Sequence, residues 1–124
     1  MVKFVVLPLI LIDVVLNVTG QLSLKYGMSQ LGNFALSIST LPPVFLKAAT
    51  SLHVLFGLLC YGLGFLVWLI VLSKAEVSYA YPLISLGYVF TAILARLLFG
   101  EALSTTRMAG IFLTCLGVFL IARS

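Results

Sequence analysis

The sequence predicts an all-α membrane protein with four closely spaced transmembrane helices, an expectation that three observations carry. The chain of 124 residues is 63% hydrophobic and only 8% charged, with a mean hydropathy of +1.29. Soluble chains are nearer half apolar and a quarter charged, and one of this length could not hide so much apolar surface from water. The apolar residues fall into four runs of near membrane-spanning length, joined by one long connection and then by short ones. Length and composition indicate a single four-helix domain over residues 1–124, with helices at about 2–25, 51–73, 77–98 and 104–122.

The first run goes from Phe4 to Leu24 and is interrupted by Asp13. Lys3 precedes it, as in a signal peptide. Asn17, Thr19 and Gln21 do not make a small-residue cleavage site, however, and three more spans follow, so it reads as a retained helix. The second run, Ser51–Ser73, holds no Asp, Glu, Lys or Arg. The third, Val77–Leu98, contains Arg96. The fourth, Met108–Ala122, reaches only about 22 Å at about 1.5 Å per residue. A start at a Ser104 or Thr105 cap, with Arg107 and Arg123 snorkelling, supplies the missing length.

The substantial connection is Tyr26–Thr50, punctuated by Gly27, Gly32, Pro42 and Pro43. Within it, Pro43–Ala49 fits a short helix with proline in its first turn, after Ser39 or Thr40. Val44, Phe45 and Leu46 beside Lys47 suit the membrane interface. The remaining connections, around Lys74–Glu76 and Gly100–Leu103, are short enough to make neighbouring helices antiparallel. Lys3, Lys74 and Arg123 fall on one side, and Lys25, Lys47, Arg96 and Arg107 on the other. That balance does not set an orientation by the positive-inside rule.

Polar residues inside the spans carry the functional signal, because lipid does not solvate them. On the first helix, Asp13, Asn17 and Gln21 recur every fourth residue, drifting about 40° per step, with Lys25 continuing the line to the membrane edge. On the third, Ser78, Tyr81, Ser85, Tyr88 and Arg96 follow spacings compatible with one face, Ala92 completing the row. The bland alternative is hydrogen-bonded packing glue, which describes Ser, Asn and Gln better than Asp13 and Arg96. Two such stripes are expected to face each other, or the same stripes of a partner chain. In the second helix Gly57, Gly62 and Gly64 permit close approach, with Tyr61 and Trp68 as bulk. In the fourth, Gly110 and Gly117 share a face suited to packing or oligomerisation.

Several function classes find no support. The seven basic residues are scattered, without the aromatic-interleaved cluster of a nucleic-acid surface. Cys60 and Cys115 lie in apolar runs with no CxxC spacing, so neither a metal nor a cofactor site is expected. His53 at the head of the second run reads as an interfacial side chain. No His, Cys or carboxylate pair has the spacing of an enzyme's acid–base machinery, and no enzymatic activity is expected. Glu101 reads as an organiser of the last turn and of the fourth helix's start, or as a partner for a snorkelling Arg96.

The stretch Lys74-Ala75-Glu76-Val77-Ser78-Tyr79-Ala80-Tyr81-Pro82-Leu83-Ile84-Ser85-Leu86, then Phe99-Gly100-Glu101, resembles the drug/metabolite transporter superfamily. So does the first-helix ending Gly20-Gln21-Leu22-Ser23-Leu24-Lys25. With the four-span layout, the resemblance covers nearly the whole chain. Two groups in the superfamily have four helices. The small multidrug resistance exporters are antiparallel dimers that exchange protons for organic cations. The small EamA-like subunits resemble the aminoarabinose-phosphoundecaprenol flippase subunits. The exporters carry an acid where this chain has Asn17, an amide that does not titrate. They carry a tryptophan shortly after the Ala-Tyr pair, where this chain has Ile84, and their first loop is shorter. Ala80-Tyr81-Pro82-x-x-Ser85-Leu86 and Gln21 match the flippase-like subunits better.

The resemblance therefore implies a half-transporter that dimerises in a bacterial inner membrane, with an identical chain or a similar small subunit, and moves a lipid-linked sugar or similar amphipathic substrate. Flipping such a lipid needs a side opening, donors for phosphate and polar groups for sugar. Arg96 and Lys25, on the side of Lys47, are expected to meet phosphate. Asn17, Gln21, Tyr81 and Ser85 are expected to meet sugar, with Asp13 and Tyr88 in the same polar space. The alternatives are a cation exporter driven by Asp13 and a non-transporting partner subunit of another membrane protein.

Overall fold

A computed structural model describes residues 2–32 and 36–124, with side chains from Phe4 onward. The described residues form six helices, α1 (Val2–Ser29), α2 (Leu41–Thr50), α3 (Leu52–Lys74), α4 (Val77–Ile84), α5 (Leu86–Phe99) and α6 (Thr105–Arg123), and no strand. Four spans are long and apolar enough to cross a membrane: Phe4–Ser29, Leu52–Lys74, Val77–Phe99 and Thr105–Arg123. The protein is a multi-pass, all-α membrane protein.

Helix ends follow local chemistry. The Ser51 hydroxyl accepts from the Val54 amide at the start of α3, and Ser104 accepts from the Arg107 amide at 3.1 Å at the start of α6. Gly100 ends α5 at φ 68°, a left-handed conformation that favours glycine. The short helix α2 begins two residues before the Pro43 start that the sequence suggests, with proline in its first positions and Thr40 at its N-cap. α1 runs a turn beyond Lys25, to Ser29.

The third span departs from the sequence expectation of one continuous helix, because it breaks into α4 and α5 at Ser85. Pro82 offers no amide and its ring crowds the preceding turn. At the break itself the turn is tighter, with the Ser85 amide bonding Pro82 O at 3.0 Å and the Tyr88 amide bonding Ser85 O at 3.0 Å. The Ser85 hydroxyl also donates to Pro82 O.

α1 packs against α3 along its length and against α4 and α5 on its other side. Val6, Ile10, Val14 and Val18, four residues apart, form its core stripe with Val71, Ala80, Leu83 and Val118. The approach of α1 to α3 is close enough that a Cβ at Gly57 would lie 2.9 Å from the Gly20 carbonyl oxygen. α6 rests mainly on α4 and α5, and Val118 is its one buried residue. Its apolar surface, including Phe112, Leu116 and Phe119, faces outward.

Candidate functional site

The two polar stripes meet along a groove between the α1–α3 pair and the α4–α5 span. Its inner part, about 580 Å³, is lined by Asp13 and Asn17 of α1, by Tyr61, Phe65 and Trp68 of α3, and by Tyr81 of α4. A second hollow of about 390 Å³ shares Asn17, Tyr61 and Ile84 with the first and adds Gln21, Ser85 and Tyr88. Tyr88 and Thr91 lead on to a third, of about 380 Å³, bordered by Glu101 and Arg107 at one end of the bundle.

Within the groove, Asp13 is 2% exposed. Asn17 Nδ2 donates to the Asp13 carbonyl oxygen at 2.9 Å and to its Oδ1 at 3.2 Å, both within one turn of α1. The carboxylate lies over Gly64, where a Cβ would stand 2.8 Å from Oδ1. Glycine makes room for the acid. One turn further along, Gln21 and Tyr61 face the same hollow from α1 and α3. Opposite, the Trp68 and Tyr81 rings meet edge to face, with centroids 6.0 Å apart and planes at 67°. Tyr81 is 67% exposed and Tyr88 51% exposed, so the groove opens sideways rather than enclosing a cavity.

Asp13, Asn17, Gln21, Tyr81, Ser85 and Tyr88 are thus brought together. Lys25 and Arg96 are not among the residues lining the groove. Lys25 Nζ lies 4.0 Å from Glu101 Oε2, so Glu101 pairs with α1 rather than with Arg96 across the Gly100 turn. Arg96 is exposed. Arg107, read from sequence as a snorkelling end residue, borders the groove and donates from Nη1 to Ala102 O at 3.1 Å. Ser78 belongs elsewhere, to a hollow of about 450 Å³ at the opposite end, beside Lys74 and Glu76. At the Lys25 end, His53 meets Tyr26 edge to face, with centroids 4.4 Å apart.

Tyr61 and Trp68 line the groove although the sequence reads them as bulk, since an apolar span without a polar stripe reads as packing. Their seven-residue spacing puts two amphipathic rings on one face of α3, a signal that was available. Gly62 likewise opens onto the groove, with nothing within 4 Å of a Cβ built there. Among the described residues no three His, Cys, Asp or Glu side chains gather to hold a metal. The groove supplies amide and hydroxyl groups for a polyol, aromatic faces, and one buried carboxylate.

The groove is mainly apolar, with Asp13, Asn17, Gln21, Ser85 and the tyrosine hydroxyls as its polar groups. The EamA-like transporter family matches the chain over residues 4–123. The chain belongs to that family. It is a membrane transporter, as the superfamily resemblance of its third span implies. One relative, from Pseudomonas savastanoi pv. phaseolicola, is named probable 4-amino-4-deoxy-L-arabinose-phosphoundecaprenol flippase subunit ArnE. It is 34% identical over 108 residues, covering 87% of this chain and 89% of the relative. Two proteins named as the ArnF subunit of the same flippase are similar too. That of Proteus mirabilis is 42% identical over 84% of this chain and 81% of its own length. That of Photorhabdus laumondii is 36% identical over 91% and 93%. No solved structure matches the chain.

Proposed function

We propose that this transporter is one subunit of a flippase for polyprenyl-phosphate-linked sugars in a bacterial inner membrane, an undecaprenyl-phosphate-aminoarabinose type of lipid being the model substrate. The observation that carries the reading is the lateral groove with Asp13, Asn17, Gln21 and Ser85 inside it. A headgroup can enter such a groove from the side while its prenyl tail stays in lipid. The names of the relatives support the substrate class and the membrane.

The working unit is a dimer, with an identical chain or a similar small subunit. A single copy leaves the groove open along one flank, and α6 presents nearly its whole surface outward. Asn17, Gln21, Tyr81, Ser85 and Tyr88 serve the sugar. Lys25 and Arg96, with Arg107 near the same end, form a basic rim for the phosphate, Arg96 through its planar fork.

Native mass spectrometry of protein extracted gently with its own lipids tests the proposal. A dimer retaining a polyprenyl-phosphate-sugar is the expected result. A lipid-free dimer that binds small hydrophobic cations would replace it with a cation exporter. Obligate co-purification with a larger protein, and no activity alone, would indicate a non-transporting partner subunit. Arg96→Gln at normal protein level should abolish translocation, and full retained activity would remove Arg96 from the site.

A further inference from the structure

The basic end of the groove contains an acid. The hollow that begins at Tyr88 and Thr91 ends between Glu101 and Arg107, and Glu101 Oε2 lies 4.0 Å from Lys25 Nζ. Lys25 belongs to α1 and Glu101 to the connection after α5, so the pair spans the two sides between which the groove runs. The chain has three acids. Asp13 lies deep in the groove and Glu76 at the opposite end of the bundle. Among the described residues neither Arg96 nor Arg107 has a carboxylate within 4.0 Å. Glu101 is therefore the acid that Lys25, Arg96 and Arg107 share.

Its side chain does not organise the turn or the start of α6. The turn is held by backbone bonds, Gly100 N to Arg96 O at 3.1 Å and Glu101 N to Ala95 O at 3.5 Å. The cap of α6 is Ser104. Among the described residues the Glu101 carboxylate has Lys25 alone as a partner. As a structural tie that pair is weak. Its side chains are 56% and 42% exposed, and exposed pairs shift an equilibrium by at most about fivefold. A weak pair is an exchangeable one. Carboxylate and phosphate oxygens are alternative acceptors for the same Lys and Arg donors. A polyprenol and a sugar joined through one phosphate make a diester with a single negative charge. Its exchange for the Glu101 carboxylate leaves the charge balance around Lys25 unchanged.

We infer that Glu101 is a displaceable counter-ion of the phosphate rim: it holds Lys25 while the groove is empty, and an arriving phosphodiester takes its place. The inference rests on the flippase reading for the identity of the lipid. Residues 101–104 lie outside the helices, so the carboxylate can withdraw without unwinding a helical turn. Its departure releases the connection after α5 from α1 at the end of the groove, and its return competes the phosphate off Lys25. Glu101 is thus a positioning residue, acting on the substrate through the lysine.

Isothermal titration calorimetry of the full chain in lipid nanodiscs tests this with decyl methyl phosphate, a singly charged phosphodiester, against decanol and empty nanodiscs. Glu101→Gln should tighten phosphodiester binding by about three- to fivefold, the range that loss of a competing exposed pair allows. With Lys25→Gln in the same chain the gain should fall below about twofold. Unchanged or weaker binding in folded Glu101→Gln, the result a turn organiser would give, overturns the inference and leaves the phosphate rim intact. A wild-type chain that binds the phosphodiester no better than decanol refutes the rim and the exchange together, and needs no variant to fold. In translocation of a polyprenyl-phosphate sugar, Glu101→Gln should lower KM and kcat together, because the acid that competes the phosphate off Lys25 is gone. A raised KM would also overturn the inference. Tightened phosphodiester binding in Glu101→Gln, with no translocation by the wild-type chain, refutes the flippase reading and leaves the exchange standing.

Discussion

Gly57→Ala adds one methyl group where the backbone of α1 comes close to α3, and its effect can be worked from distances. The new Cβ would sit 2.9 Å from the Gly20 carbonyl oxygen and 2.9 Å from Leu24 Cγ. Leu24 can rotate away. The carbonyl cannot, because it belongs to the backbone of α1. Ordinary contact begins near 3.4 Å, so the two backbones must part by about 0.5 Å. Close-packed interiors resist such shifts, and overpacking costs about 1–3 kcal/mol. Alanine's better helix propensity returns about 0.5–1 kcal/mol, leaving a net loss of up to about 2.5 kcal/mol. Gly62→Ala is the control. It lies in the same helix, but a Cβ there meets nothing within 4 Å, so only the propensity gain of about 0.5–1 kcal/mol remains. Trp68 fluorescence during titration with sodium dodecyl sulfate in mixed micelles measures both unfolding free energies. Equal effects of the two substitutions, or a stabilising Gly57→Ala, would refute the claim that glycine sets the distance between α1 and α3.

Two further outcomes follow from the last helix. Ser104→Ala removes the hydroxyl that accepts from the Arg107 amide. It should cost about 1 kcal/mol, read as about fivefold faster hydrogen exchange at that amide, whereas unchanged protection would mean that the cap is unimportant. Gly110 and Gly117 have open space where their Cβ atoms would be. If this face meets a partner, leucine at both positions should turn the dimer into a monomer in native mass spectrometry without unfolding the chain. A persistent dimer would place the interface elsewhere.

Much of this protein was decided locally and could be read without coordinates. Four runs of apolar residues make four spans because a bilayer accepts only segments that satisfy their own backbone hydrogen bonds. Ser51, Ser104 and Gly100 mark helix ends through the chemistry of their own few neighbours. The stripe Asp13–Asn17–Gln21 was visible from helical spacing alone, and so was the row that holds Tyr81, Ser85 and Tyr88.

What only the tertiary structure decided is which faces meet. Helical periodicity says that two residues share a side of one helix, but nothing about which neighbour lies opposite. Tyr61 and Trp68 line the groove because Gly57 and Gly64 bring α3 against the polar side of α1. Gly64, in particular, leaves room for the Asp13 carboxylate. Lys25 chose Glu101, a pairing between α1 and the connection from α5 to α6 that no spacing encodes. The break at Ser85 needed the fold as well, since Pro82 removes a hydrogen bond but the direction in which the chain relaxes depends on what packs around it. Composition and period are properties of a chain one segment at a time. The groove is a property of helices in register, and its chemistry emerged only when they were set side by side.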